Sequence, residues 1–181
     1  MPIVAIVGPD GAGKTTIVEA LRSKLDCDYH KGSYEPPDKM VHTLVEVISR
    51  ARPSRILLCD RLHYPDDIVY SRAVRNIPST LEFVVPLCEY VLRENDTFLL
   101  YVNAGLHVLK LRLLARGDDY VKDLSVLPLI QRYYEDFLSR TRLPYKVIDT
   151  SWADPETVAE RAEMYIAERW PRLYKEALKH E

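Results

Sequence analysis

Ile3-Val4-Ala5-Ile6-Val7-Gly8-Pro9-Asp10-Gly11-Ala12-Gly13-Lys14-Thr15-Thr16 is the stretch from which the fold is read. Its first five residues are apolar and mostly β-branched, the composition of a strand buried on both faces of a parallel sheet. Gly8 to Thr15 then satisfies G-x-x-x-x-G-K-[ST] at every defined position. Ile17, Val18, Leu21 and Leu25 follow at helical spacing. Strand, glycine loop and helix in that order make a phosphate site. The glycines let successive backbone N–H groups point inward, and the helix N-terminus adds positive potential. Gly8, Asp10, Gly11, Ala12, Gly13, Lys14, Thr15 and Thr16 are therefore the candidate residues for the phosphates of a bound nucleotide. Lys14 would reach the β- and γ-phosphates, and the Thr15 hydroxyl would ligate Mg²⁺.

The rest of the chain suits a soluble protein of one domain, residues 1–181. Apolar residues make up 47% and charged residues 29%, as in ordinary globular proteins. A formal net charge of −2 offers no global reason to hold a nucleic-acid duplex, although a local basic patch would serve one. Cys27, Cys59 and Cys88 are scattered, without CxxC spacing, which reads as reduced thiols in a cytoplasm rather than a zinc site. The N-terminus runs directly into the first strand, so no signal peptide is expected. No apolar run is long enough to span a bilayer.

Further strands are expected at Ile56–Cys59, Phe98–Val102 and Tyr145–Asp149, each followed by a helical pattern. Tyr29 to Lys39 is polar, with Gly32, Pro36 and Pro37, and reads as a loop after a short strand. Met40 to Arg50 has helical spacing and stops before Pro53. A helix is expected to begin near Pro65. Another stripe runs from Leu81 to Leu92, with a kink or break at Pro86, and could serve a homodimer interface or the core equally well. Asp123 to Leu138 is a further helix. Asp154-Pro155 caps the last one, which Trp170-Pro171 interrupts. Alternating strands and helices argue for an α/β fold, a parallel sheet covered on both faces with ligands at the carboxyl ends of its strands.

Asp60 follows four apolar residues at such an end. It is placed to face Mg²⁺ and the γ-phosphate, orienting metal-bound water or accepting a proton from an attacking hydroxyl. A helix-capping aspartate would look the same in sequence. Arg61, next in the chain, could clamp an acceptor phosphate with two parallel hydrogen bonds, or make a surface ion pair. Arg112 and Arg116 are one helical turn apart and lead into a polar loop. Delivered by a lid, they would neutralise the equatorial oxygens of a transferring phosphoryl group. A solvated charged face is the alternative. No Asn-Lys-x-Asp guanine reader is present, which disfavours a GTPase switch.

Together these residues resemble the thymidylate kinase and deoxynucleoside kinase superfamily. The resemblance is carried by the loop Gly8–Thr16, by Asp60-Arg61, and by Arg112-Leu113-Leu114-Ala115-Arg116-Gly117-Asp118-Asp119-Tyr120, which is similar to an arginine-bearing lid (about 112–123). It implies a P-loop three-layer αβα sandwich with a five-stranded parallel sheet and a helical lid. It also implies ATP- and Mg²⁺-dependent phosphoryl transfer, with Asp10 near the acceptor's 3′-hydroxyl and Arg61 near its 5′ end. Arg112 and Arg116 would surround the phosphoryl group, and Thr150-Ser151-Trp152 would border adenine. The usual Arg-Glu-Pro signature is replaced by Lys31-Gly32-Ser33-Tyr34-Glu35-Pro36-Pro37. The segment Leu62 to Tyr70 is similar to viral and other divergent members.

Tyr34, Tyr64, Tyr70 and Arg72 fall in segments expected around the acceptor, where a tyrosine could stack on a base or simply pack. The leading expectation is a deoxynucleoside monophosphate kinase acting on a small-molecule acceptor. The alternatives are a kinase of deoxynucleoside 5′-hydroxyls, a kinase of a modified base or end in DNA, and a non-catalytic ATP-binding regulator. A cluster of Arg61, Arg72 and Arg75 would favour the monophosphate.

Overall fold

Five consecutive apolar residues leave a strand without a polar face, and β1 (Ile3–Val7) is buried along its whole length. The other strands are β2 (Asp28–Lys31), β3 (Leu57–Asp60), β4 (Thr97–Asn103) and β5 (Tyr145–Asp149). In the computed structural model, which describes residues 1–32, 39–75, 84–117 and 123–179, they form one parallel sheet in the order β2-β3-β1-β4-β5. β1 is thus central. The chain fills one side of it with β2 and β3, then crosses to the other with β4 and β5. That reversal opens a crevice at the carboxyl end of β1, where the phosphate loop begins.

Helices cover both faces, as right-handed crossovers between parallel strands require. α1 (Lys14–Lys24), α7 (Pro155–Arg169) and α8 (Pro171–Ala177) pack together. α2 (Met40–Arg50), α3 (His63–Ala73) and α6 (Leu127–Arg140) form a second group. α4 (Val85–Glu94) and α5 (Leu106–Arg116) flank β4 in sequence. The architecture is the expected three-layer αβα sandwich. Asp154 caps α7, its side chain accepting from the Thr157 N–H at 2.9 Å.

Two local readings change. Tyr29 to Lys31 is strand, not loop: β2 is an edge strand whose backbone pairs with β3 alone, and a ladder of backbone bonds needs no apolar side chains. Pro86 does not kink a helix but lies in the first turn of α4, where its missing N–H costs nothing. Tyr34, the start of the Leu81 stripe and lid residues 118–122 lie outside the described residues. Among the described residues no helix is long and apolar enough to cross a membrane.

Candidate active site

The loop curls against the end of β4. A Cβ on Gly8 (φ 141°) would stand 2.0 Å from the Val102 carbonyl oxygen, so only glycine fits there. Gly13 (φ 91°) takes the left-handed turn that starts α1. Lys14, the first helical residue, is buried and donates from Nζ to the carbonyls of Gly8 and Pro9, at 2.7 Å each. Its ammonium lies 4.0 Å from Asp10 Oδ1. Burial, with the Arg61 charge adding to it, brings the Lys14 pKa down to about 8 against the opposing pull of Asp10, Asp66 and Asp60.

β3 lies directly beside β1, with Asp60 in register with Ile6, and this brings the second carboxylate to the loop. Arg61 follows at φ 72°, a non-glycine residue in the left-handed region, with its N–H bonded to the Ile6 carbonyl at 3.1 Å. The reversed backbone sends the guanidinium back over the loop. One terminal nitrogen donates to Asp10 Oδ1 and the other to Asp66 Oδ2 at 3.2 Å. Tyr70 donates to the second Asp10 oxygen at 2.9 Å, and Tyr134 to the second Asp66 oxygen at 2.7 Å. The result is a continuous chain: Tyr70, Asp10, Arg61, Asp66, Tyr134. Burial pushes the Asp10 carboxyl up, but Lys14, Arg61 and Tyr70 together hold it below its usual value. At Asp66 burial prevails and its carboxyl is raised, although Arg61, Lys14 and Tyr134 oppose it.

Lys14, Asp60 and the chain from Tyr70 to Asp66 line a cavity of about 350 Å³, with Tyr134 behind it. Of the residues singled out from sequence, Asp10, Gly11, Gly13, Lys14, Thr15, Thr16, Asp60, Arg61, Tyr70 and Arg116 face it. Gly8 and Ala12 form the loop behind, with Ala12 fully buried. Arg112 is turned to the loop's other side. It donates to Thr150 Oγ1 and to the Thr150 carbonyl, at 2.8 Å each, and to the Gly11 carbonyl at 3.3 Å. Thr150 Oγ1 in turn donates to the Ala12 carbonyl at 2.9 Å. Arg112 therefore ties α5 and the end of β5 to the phosphate loop. It does not stand beside Arg116 in the cavity.

Tyr64 and Arg72 are also elsewhere. Ile68 and Arg72, four residues apart on α3, and Tyr64, whose backbone is extended (φ −90°, ψ 120°) where the helix is kinked, line a separate cavity with Glu89 and Phe137. Tyr64 donates to Glu89 at 3.1 Å and packs edge-on to Phe137. Arg72 lies 3.7 Å from Asp136 and 5.9 Å from the Tyr133 ring. The cavity face of α3 carries Asp66, Asp67 and Tyr70 instead. Sequence reasoning passed over Asp66 and Asp67. The available signal was a pair of carboxylates set between apolar residues in a segment that must pack on a core, since buried carboxylates require partners.

Thr15 and Asp60 both line the cavity, a hydroxyl and a carboxylate that suit Mg²⁺, which keeps water and phosphate ligands and takes few from protein. Among the described residues no group of three or more His, Cys, Asp or Glu could hold a metal alone. A metal arriving with a nucleotide is compatible with that.

No family model matches the chain. It is 23% identical over 157 residues to the SPβ prophage-derived protein YorR of Bacillus subtilis, covering 86% of this chain and 94% of YorR. The crystal structure of YorR in complex with phosphorylated GDP is similar at a TM-score of 0.71, with 20% identity over 92% of this chain and 95% of that one. Deoxyadenosine kinase from M. mycoides with bound dATP gives a TM-score of 0.67, with 19% identity over 91% of this chain and 98% of the kinase. The same kinase with dCMP and dCDP gives 0.64 at 17% identity. The chain thus has the P-loop fold seen in a deoxynucleoside kinase, over nearly its full length.

Proposed function

We propose that the chain transfers the γ-phosphoryl group of ATP, with Mg²⁺, to the 5′ end of a deoxynucleoside monophosphate. The observation that carries this reading is the convergence of Lys14, Thr15, Asp60, Arg61 and Arg116 on one cavity beside the Asp10–Tyr70 pair. The loop's backbone N–H groups and Lys14 grip the triphosphate, and Thr15 and Asp60 would hold a Mg²⁺ that would offset its negative charge. Arg116 and Lys14 offset the charge that spreads over the equatorial oxygens during transfer. Asp10 and Tyr70 present an acceptor and a hydroxyl to the sugar 3′-hydroxyl. Arg61, locked between Asp10 and Asp66, orients the acceptor's 5′ end.

A second reading, transfer to a deoxynucleoside 5′-hydroxyl, has its own supporting observation. Both arginines on the acceptor side carry carboxylate partners: Arg61 has Asp10 and Asp66, and Arg75 has Asp67 at 3.0 Å. Arg72 lies on the far face of α3. A neutral hydroxyl needs no further cation, and Asp60 would take its proton as the new P–O bond forms.

One experiment separates these. The protein is incubated with labelled ATP and Mg²⁺ and a panel of deoxynucleosides, their 5′-monophosphates, and DNA with natural or modified pyrimidines. The expected result is transfer to a monophosphate with kcat/KM well above that for its nucleoside. The reverse order establishes the hydroxyl acceptor, and no transfer to any compound defeats the kinase reading.

A further inference from the structure

Among the described residues the sheet has two edges, β2 and β5, and the chain treats them differently. β2 is guarded by charge: Asp28 meets Arg52 at 3.5 Å and Arg55 at 3.4 Å, and the Arg22 guanidinium covers the Tyr29 ring at 4.1 Å. β5 is built otherwise. Tyr145, Lys146, Val147 and Asp149 are exposed, with Val147 at the centre 50% exposed. The strand contains no proline, and no bulge breaks its register with β4. Its one lysine lies over the Tyr165 ring of α7, 5.0 Å away, rather than across the edge. The Leu99 N–H bonds to the Pro144 carbonyl and the Thr150 N–H to the Asn103 carbonyl, at 2.9 Å each. By the alternation of a parallel ladder, the backbone groups of Tyr145, Val147 and Asp149 then point outward. Outward donors and acceptors flanked by apolar side chains are a template for another strand.

We propose that β5 pairs antiparallel with β5 of a second copy of this chain, about a two-fold axis through Val147, joining two five-stranded sheets into one. This register uses every outward residue. Val147 faces its own counterpart, Tyr145 faces Asp149 of the second copy, and each facing pair exchanges two backbone bonds. The surface of α7 identifies the occupant as a second copy. α7 runs antiparallel to β5 above the edge, with Glu168 3.9 Å from Lys146 at the start of the strand. On the helix's other side Glu163 reaches Lys24 of α1 at 2.7 Å. Arg161, Met164 and Glu168, at spacings of three and four, form an exposed stripe on α7. In sequence the stripe is positive, apolar, negative. Reversed by the two-fold axis it complements itself: Arg161 of each copy meets Glu168 of the other across a Met164 centre. A helix of 15 residues is about 22 Å long, so strand and helix together extend the contact well beyond a bare two-strand joint.

The test measures mass, not turnover, so it stands or falls apart from the kinase assignment. Sedimentation equilibrium of the intact protein should show a dimer at about 50 µM chain. Val147→Lys sets like charges against each other at the axis and should leave a monomer. Arg161→Glu and Glu168→Arg, both at exposed positions, should each weaken the dimer by about tenfold or more, since like charges then meet on both sides of the axis. Mixing those two single variants should restore association, because opposite charges face each other again at both places. Circular dichroism checks that each variant is folded. A parent protein that is monomeric at that concentration overturns the proposal. So does a dimer indifferent to Val147→Lys or to the charge reversals, or a mixture that associates no more tightly than either variant alone.

Discussion

Replacing Tyr134 by Phe isolates one bond in the network that holds Arg61. Tyr134 is fully buried, its ring 5.3 Å from that of Tyr101 and 6.5 Å from that of Tyr70. Phenylalanine keeps those contacts and removes only the hydroxyl that donates to Asp66 at 2.7 Å. A hydrogen bond to a buried charged group contributes about 1.5–3 kcal/mol. Asp66 keeps Arg61 at 3.2 Å, so the lower half of that range applies, about 2 kcal/mol. With a urea m-value of about 2 kcal/mol/M, the denaturation midpoint should fall by about 1 M.

The deficit should also depend on pH. Burial raises the Asp66 carboxyl, so between its unfolded and folded values the native state binds more protons, and this group's contribution to stability declines as pH rises. Tyr134 opposes that rise in pKa, and losing it raises the carboxyl further. The variant's deficit is therefore largest at neutral pH, where Asp66 is ionised, and narrows in acid. Urea titrations followed by circular dichroism at neutral and mildly acidic pH measure both effects. A neutral-pH midpoint within about 0.2 M of the parent would refute the reasoning.

Three other outcomes follow from the same geometry. Because the Lys14 pKa is about 8, kcat/KM for ATP should fall as pH rises through that value, and Lys14→Arg should move the fall well above pH 8 in a pH–rate profile. Asp60→Asn should lower kcat by about a hundredfold or more while the thermal unfolding midpoint hardly changes; near-parental turnover would remove Asp60 from its assigned role. Gly8→Ala drives a methyl group onto a backbone oxygen 2.0 Å away, which should cost more than about 3 kcal/mol and show in chemical denaturation.

Strands β1, β3 and β4 follow from local pattern, because a strand buried on both faces must be apolar nearly throughout. β1 and β5 occupy the spans read from sequence, and β3 and β4 differ by a residue at either end. The phosphate loop was equally legible, since its glycines, lysine and threonine are set by backbone geometry over a few consecutive residues. The extent of β2 was not: Asp28-Tyr29-His30-Lys31 carries no apolar run, and its place in the sheet comes from backbone pairing with β3.

Tertiary structure alone decided which charges meet. Arg112 and Arg116 share a helix and a spacing, yet one fastens Thr150 to the loop and the other faces the cavity. Tyr70 and Arg72 lie within one short helix and Tyr64 at its kinked start, but only Tyr70 turns toward Asp10. The partners of Arg61 come from the first loop and from α3, held by a tyrosine of α6. Side-chain pairing between distant segments is set by how helices are rotated on the sheet, and a helical repeat is compatible with several rotations until the whole core is packed.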